Sequence, residues 1–258
     1  MALAHVRRGS GPPLALIHGI GSQWQMWEPV LDRVTREREV VALDLPGFGE
    51  SENHHARPTV EALAAVTAEF LDGLGLGATH VAGNSLGGAV ALQLARMGAV
   101  RSACGLSPAG FVNDREGTYA RTMLMESQRV AKLTAAHAEL LCDGPVRRTL
   151  AFGHLCARPW KVPAGEAAGA LRNLGKSPGF ETTFEAIADF RWAGPEPDCP
   201  ITIAWGEKDR VLIYSRQAPR ARRRLPSARH VTLTGCGHVP TWDDPEQVAR
   251  VLLDASRN

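Results

Sequence analysis

The sequence is poor in cysteine, in net charge and in long hydrophobic runs. Its five cysteines show no CxxC spacing, so neither a disulfide framework nor a cysteine-bound metal ion is expected. The formal charge of +2 gives no electrostatic reason to expect a nucleic acid or an anionic membrane as a partner. No apolar run is long enough to cross a bilayer, and the first residues lack the pattern of a signal peptide. We therefore expect a cytoplasmic globular protein without a metal ion, and the sequence gives no indication of its number of subunits.

Basic residues are concentrated in one stretch late in the chain. It contains Arg216, Arg220, Arg222, Arg223 and Arg224. Because acidic and basic residues are nearly balanced over the whole chain, we interpret this stretch as the solvated face of a helix rather than as a site for an anionic partner.

Short apolar runs alternate with helical patterns through most of the chain. Strands are predicted at residues 14–17, 40–43, 80–82, 100–106, 201–205 and 230–233. Helices are predicted at residues 24–34, 59–74, 86–97 and 245–255. Short apolar strands that alternate with helices predict an α/β fold with a mostly parallel central sheet and helices on both of its faces.

This alternation is interrupted in the middle of the chain. Residues 112–192 contain helical patterns, at 119–141 and 165–174, without a clear strand. The strand signal returns only after Pro195-Glu196-Pro197. We therefore predict a core formed by residues 1–111 and 193–258, with a helical segment at 112–192 inserted into it.

One serine lies in a sequence context that favours nucleophilic chemistry. Ser85 is the centre of Gly83-Asn84-Ser85-Leu86-Gly87, a G-x-S-x-G pattern that follows a predicted strand and opens a predicted helix. A serine on such a strand–turn–helix junction is held with its hydroxyl exposed at the end of the sheet. Flanking glycines allow the close backbone approach that this turn requires. We expect Ser85 to be a nucleophile.

A serine hydroxyl needs a base, and the base needs a partner that orients it. Among nine histidines, His238 is singled out because it lies on a glycine-flanked loop after the strand that ends near Leu233. Asp209 follows the strand at 201–205 and is the expected partner, with Glu207 as a weaker alternative. The chain order Ser85, Asp209, His238 is the order typical of an α/β fold with this serine motif.

Backbone N–H groups near Ser85 are expected to stabilise a developing oxyanion. The turn His18-Gly19-Ile20-Gly21 follows the first predicted strand, and Leu86 follows the serine. One such donor contributes about 3 kcal/mol to transition-state stabilisation. We expect His18 to brace this turn rather than to react.

Taken together, these motifs resemble the α/β-hydrolase superfamily over most of the chain. The stretch Asp44-Leu45-Pro46-Gly47-Phe48-Gly49-Glu50-Ser51 resembles the branch that includes esterases, lactonases, haloperoxidase-like enzymes and C–C bond hydrolases. The resemblance implies Ser85, His238 and Asp209 as a catalytic triad and an oxyanion hole formed by the N–H groups of Ile20 and Leu86. It also implies that the inserted segment is a helical cap, and no cofactor is expected.

The resemblance also narrows the chemistry. Dehalogenases and epoxide hydrolases of this branch carry an aspartate nucleophile, whereas this chain has Ser85, so those reactions are disfavoured. The form Gly-Asn-Ser-Leu-Gly-Gly resembles the C–C hydrolases, but Val239 stands where that group has a tryptophan directly after the histidine.

The inserted segment is rich in apolar side chains, which predicts an apolar substrate pocket. The residues expected to contact the substrate are Trp24, Met123, Phe152, Trp160 and Val239. The leading hypothesis is hydrolysis of a small or medium apolar ester or lactone. Hydrolysis of a C–C bond in a ring-cleavage diketone is the alternative, and a ligand receptor with slow or vestigial hydrolysis is a third possibility.

Overall fold

A seven-stranded sheet forms the centre of the computed structural model, which describes residues 2–53, 56–76 and 78–257. The strands are β1 (His5–Arg8), β2 (Pro13–Ile17), β3 (Glu39–Leu43), β4 (His80–Asn84), β5 (Ser102–Leu106), β6 (Ile201–Gly206) and β7 (Arg229–Leu233). Their order across the sheet is β1-β3-β2-β4-β5-β6-β7. All neighbouring pairs are parallel except β1 and β3, which are antiparallel. The predicted mostly parallel sheet is confirmed.

Eleven α-helices occur in the described part of the chain. They are α1 (Glu28–Val34), α2 (Val60–Gly73), α3 (Leu86–Arg96), α4 (Asp114–Thr134), α5 (Ala138–Cys142), α6 (Pro145–Phe152), α7 (Ala164–Lys176), α8 (Phe180–Ile187), α9 (Tyr214–Arg224), α10 (Pro240–Asp243) and α11 (Pro245–Ala255). Short 3-10 turns occur at Trp24–Trp27, Ala135–His137 and Pro159–Lys161. No helix within these residues is both long and apolar enough to span a bilayer.

Two apolar cores lie on opposite faces of the sheet, because successive residues of a strand point to opposite sides. In β2, Ala15 and Ile17 face one core, and Leu14 and Leu16 face the other. Helices α2, α3 and α9 cover the first face, and α1 and α11 cover the second. The predicted helices on both faces are therefore present.

Several element boundaries differ from the sequence prediction. Strand β1 was not predicted, because His-Val-Arg-Arg lies at the edge of the sheet and is mostly exposed, so it has no apolar pattern. Strand β5 begins at Ser102 rather than at residue 100. The helix predicted at 119–141 begins earlier, at Asp114, because Asn113 and Glu116 form a capping box there. It ends at Thr134, and α5 follows after a 3-10 turn.

The arginine-rich stretch forms α9, and one of its arginines is not part of a solvated face. Arg220 Nη1 and Nη2 each donate to one carboxylate oxygen of Glu116, both at 2.6 Å, and Nη1 also donates to the carbonyl of Phe111. Glu116 is buried, and its hydrogen bonds with Arg220 hold the pKa of its carboxyl below the ordinary value. Arg220 therefore fastens the start of α4 to α9, while Arg216, Arg222, Arg223 and Arg224 are exposed as expected.

Replacing Arg220 by alanine is expected to lower the free energy of unfolding by about 2 kcal/mol, because the buried carboxylate of Glu116 loses its partner. The effect is moderate because the arginine itself is partly exposed. Urea unfolding measures this change. The matched variant Arg223→Ala, on the exposed face of the same helix, should change stability by less than about 0.5 kcal/mol. Equal effects of the two substitutions would contradict a role for the Glu116–Arg220 pair.

Candidate active site

Ser85 occupies a strained turn between β4 and α3. Its φ of +56° lies in the left-handed region, which non-glycine residues adopt at a cost. The turn is tight enough to require glycine on both sides. A Cβ on Gly83 would lie 2.1 Å from the carbonyl oxygen of Gly87, and one on Gly87 would lie 2.2 Å from that of Ile17. Such retained strain is typical of a functional position.

Asp209 and His238 are buried side by side. His238 Nδ1 lies 2.8 Å from Asp209 Oδ2, and the other carboxylate oxygen accepts the N–H groups of Val211 and Leu212, each at 2.9 Å. These bonds fix the carboxylate so that Nδ1 of the imidazole donates to it. The Nε2 atom of a neutral His238 is then the acceptor, as a general base requires. Glu207, the weaker candidate, instead accepts the N–H of Gly235 at 2.9 Å.

Asn84, the residue before the serine, is a positioning residue that sequence reasoning missed. Its buried side-chain amide donates to the carbonyl oxygen of Leu106 at 3.1 Å and to that of His238 at 2.9 Å. One side chain thus links the end of β4 to the loop that carries the histidine. The motif pattern G-x-S-x-G leaves this position undefined, and the resemblance of Gly-Asn-Ser-Leu-Gly-Gly to the C–C hydrolases was the only signal at Asn84, without a role for its side chain.

Asp243 was also missed, although it lies close to His238 in the chain. Its buried carboxylate accepts the N–H groups of Gly237 at 2.7 Å, Ala157 at 2.9 Å and Arg158 at 2.6 Å. It therefore joins the loop before His238 to the helical segment between β5 and β6. A buried aspartate in a short helix gave a weak signal, because acidic residues are common in such turns.

The turn after β2 lies beside Ser85. A Cβ on Gly19 would approach the Cβ of Ser85 to 3.3 Å. His18 is fully buried, its Nδ1 lies 2.7 Å from the carbonyl of Gly19, and its Nε2 accepts the N–H of Leu45 at 2.9 Å. Burial lowers the pKa of His18, so the ring is a neutral brace. Ile20 follows this brace and Leu86 begins α3, whose first N–H groups have no acceptor within the helix.

Ser85 and His238 open onto one cavity of about 320 Å³. Its apolar lining comprises Ile20, Met26, Leu124, Phe152, Leu155, Ala170, Leu174, Phe180, Val239 and Trp242. The two charged residues of the lining are Glu28 and Glu166, and its other polar side chains include Gln25, Ser127, His154 and Asn173. Of the residues expected to contact a substrate, Phe152 and Val239 line this cavity, and their contact with a substrate stays a prediction.

Three residues expected to contact a substrate lie outside this lining. Met123 packs against the core beneath α4 and is not part of the cavity lining. The side chain of the next residue, Leu124, is turned by about 100° around the helix, and it lines the cavity together with Ser127. Trp160 lies in a 3-10 turn and is 48% exposed. Trp24 packs on the core between the sheet, α1 and α11, with the guanidinium of Arg8 over its ring. The structure does not bring these three predicted residues into the lining of the cavity.

A parallel sheet with a strained serine between a strand and a helix, opening onto a cavity, defines an α/β fold of the hydrolase type. Two similarities to known proteins agree with this class. Residues 14–251 match the model of the alpha/beta hydrolase family. The chain is 30% identical over 194 residues to an epoxide hydrolase of Mycobacterium tuberculosis, which covers 70% of this chain and 87% of that protein. The chain belongs to the alpha/beta hydrolase family, and the expected fold is confirmed.

Other relatives carry different names. The chain is 28% identical over 257 residues to the dihydrolipoyllysine-residue acetyltransferase component of the acetoin cleaving system of Pseudomonas putida; the match covers 94% of this chain but only 63% of that protein. Among solved structures, a membrane phospholipase A described as a bacterial virulence factor is 29% identical, with a TM-score of 0.75 over 99% of this chain and 83% of that one. Membership of the family supports hydrolase activity, and the names of its members do not agree on a substrate.

Replacing Asp209 by asparagine is expected to slow the reaction of Ser85 with a fluorophosphonate probe by three to four orders of magnitude, because an amide N–H facing Nδ1 forces the other tautomer of His238. The readout is the rate of covalent labelling, followed by mass spectrometry. Asp198→Asn, on the exposed surface, is the matched control and should label at the wild-type rate. If Asp209→Asn were labelled at the wild-type rate, Asp209 would have no role in orienting His238.

Proposed function

We propose that this protein is a serine hydrolase that cleaves a small or medium carboxylic ester or lactone through an acyl-enzyme. The observation that carries the proposal is that Ser85 and His238 line the same cavity. Asp209 Oδ2 lies 2.8 Å from Nδ1 of the imidazole and orients it. Among the residues that the structure describes, His154 is the other histidine of this cavity, and it has a serine rather than a carboxylate as its partner.

In the proposed reaction, Ser85 Oγ attacks the carbonyl carbon while His238 Nε2 accepts its proton. The oxygen of the tetrahedral intermediate takes up the negative charge and accepts hydrogen bonds from the N–H groups of Ile20 and Leu86. His238 then returns the proton to the leaving alcohol, and an acyl group stays on Ser85. A water molecule, deprotonated by the same imidazole, releases the acid. Asp209 keeps the imidazole in the required tautomer throughout.

We also propose that the helices between β5 and β6 act as a cap, with residues 112–192 as the cap and residues 1–111 and 193–258 as the core. Leu124, Ser127, Phe152 and Leu174 contribute to the cavity lining from this segment. A cap over the site excludes water and selects the substrate. The mixed cavity supports a substrate that is apolar over most of its length.

Hydrolysis of a C–C bond in a ring-cleavage diketone is less well supported. Such dienoate products carry a carboxylate, whereas the charged residues of the cavity lining are Glu28 and Glu166. Neither residue supplies a positive charge for such a carboxylate, and a carboxylate is costly to desolvate without a cationic partner. A receptor without catalysis is also disfavoured, because a ligand site alone does not need the strained φ of Ser85.

The proposal is tested with p-nitrophenyl acetate and p-nitrophenyl butyrate. Ser85→Ala is expected to lower kcat by at least about 10³-fold, because the covalent pathway is lost. Ser10→Ala, an exposed serine, should keep wild-type activity. Release of p-nitrophenolate by wild type at the rate of Ser85→Ala would refute the proposal. Loss of a dienoate chromophore together with slow ester turnover would favour the C–C reaction instead.

A further inference from the structure

A second histidine faces the cavity and takes no part in the proposed reaction. His154 lies just after α6 and lines the cavity together with Ser127 of α4. Its Nε2 is 3.0 Å from Ser127 Oγ. This places a titratable ring opposite His238, on the side of the cavity formed by the helical segment.

The hydrogen bonds of Ser127 define which ring nitrogen of His154 carries the proton. Ser127 Oγ donates its single proton to the carbonyl oxygen of Met123 at 2.8 Å, so toward His154 it can only accept. His154 Nε2 is therefore the donor of the 3.0 Å bond. Burial and the nearby His238 both lower the pKa of His154, which keeps the ring neutral. A neutral ring protonated at Nε2 has a free lone pair at Nδ1.

Other polar atoms in the cavity lining also lack hydrogen-bond donors. Among the described residues, Gln25 Oε1 and Glu166 Oε2 are buried without a partner, and burial raises the pKa of Glu166. The indole N–H of Trp242 lies near Glu166 and lowers the pKa of its carboxyl, against the effect of burial. The two groups nevertheless form no well-aligned hydrogen bond. Buried polar atoms without a partner are costly, so their presence in a ligand cavity indicates that the ligand brings a polar partner.

We propose that His154 is a specificity-determining residue that accepts a hydrogen bond at Nδ1 from an O–H or N–H group of the substrate. The preferred ester then carries a hydroxyl or amide N–H in addition to its apolar part. This proposal rests on the proposed ester hydrolysis and refines it, because the sequence alone predicted an apolar ester or lactone without a particular polar group.

The experiment compares esters that differ by one hydroxyl group. The first pair is p-nitrophenyl 3-hydroxybutyrate and p-nitrophenyl butyrate, and the second is 2-hydroxyethyl butyrate and ethyl butyrate, followed in a pH-stat. We expect wild type to prefer the hydroxylated member of at least one pair by about tenfold in kcat/KM, the effect of one hydrogen bond in a buried site. Equal kcat/KM values within both pairs would overturn the proposal.

Variants of His154 assign that preference to Nδ1. His154→Phe keeps an aromatic ring but has no acceptor, so it should abolish the preference for the hydroxylated ester. The loss should come mainly from a higher KM for that ester. His154→Gln supplies an acceptor again and should restore part of the preference. His137→Phe, an exposed histidine in the same segment, is the matched control and should keep it. An unchanged preference in His154→Phe would show that another group recognises the hydroxyl.

Binding separates a failure of this proposal from a failure of the proposed function. If wild type hydrolyses butyrate esters through Ser85 but shows no hydroxyl preference, only the role of His154 is refuted. If no ester is hydrolysed, the affinities of 3-hydroxybutyramide and butyramide are compared by calorimetry. Tighter binding of the hydroxylated amide, lost in His154→Phe, supports the recognition site, and equal affinities refute it.

Discussion

The site depends on the close contact between the backbone of the β4–α3 turn and the end of β2. Gly87 packs so tightly on the carbonyls of Ile17 and His18 that a Cβ there would lie 2.2 and 2.5 Å from their oxygens. This contact holds Ser85 at the carboxyl end of the sheet and brings the turn with Ile20 beside it. The nucleophile and the donors expected for its oxyanion are thus placed by one packing constraint, and the strained φ of Ser85 is maintained by the helix and strand on either side.

The loop that carries His238 is held against that turn by buried polar side chains. Asn84 reaches the carbonyl of His238, and Asp243 binds the N–H group of Gly237. A loop that crosses from β7 to α10 has no ladder hydrogen bonds of its own, so these buried polar side chains define its position. Because Asp243 also binds the N–H groups of Ala157 and Arg158, a shift of the helical segment is coupled to the position of His238.

The sheet, its flanking helices and the positions of Ser85, Asp209 and His238 could be read from the sequence because each depends on a local pattern: an apolar strand, a glycine-rich turn and a reactive side chain. The lining of the cavity could not. Met123 and Leu124 are adjacent and similar in hydropathy, and both pack against the core, but of the two only Leu124 lines the cavity, so the rotation of α4 distinguishes them. Trp160 shows that a large apolar side chain in the helical segment can be exposed rather than inward.

The sequence also failed to predict the polar residues of the cavity lining, for a physical reason. Gln25, Ser127 and His154 have the hydropathy of surface positions, and on a helix polar residues that face solvent and polar residues that face a cavity carry the same pattern. Counting aromatic and aliphatic residues in the inserted segment therefore predicted an apolar pocket. The hydrogen bonds of Ser127, which make Nδ1 the acceptor nitrogen of the His154 ring, are a property of side-chain geometry alone. They indicate that substrate selection depends on a few polar groups within an otherwise apolar lining.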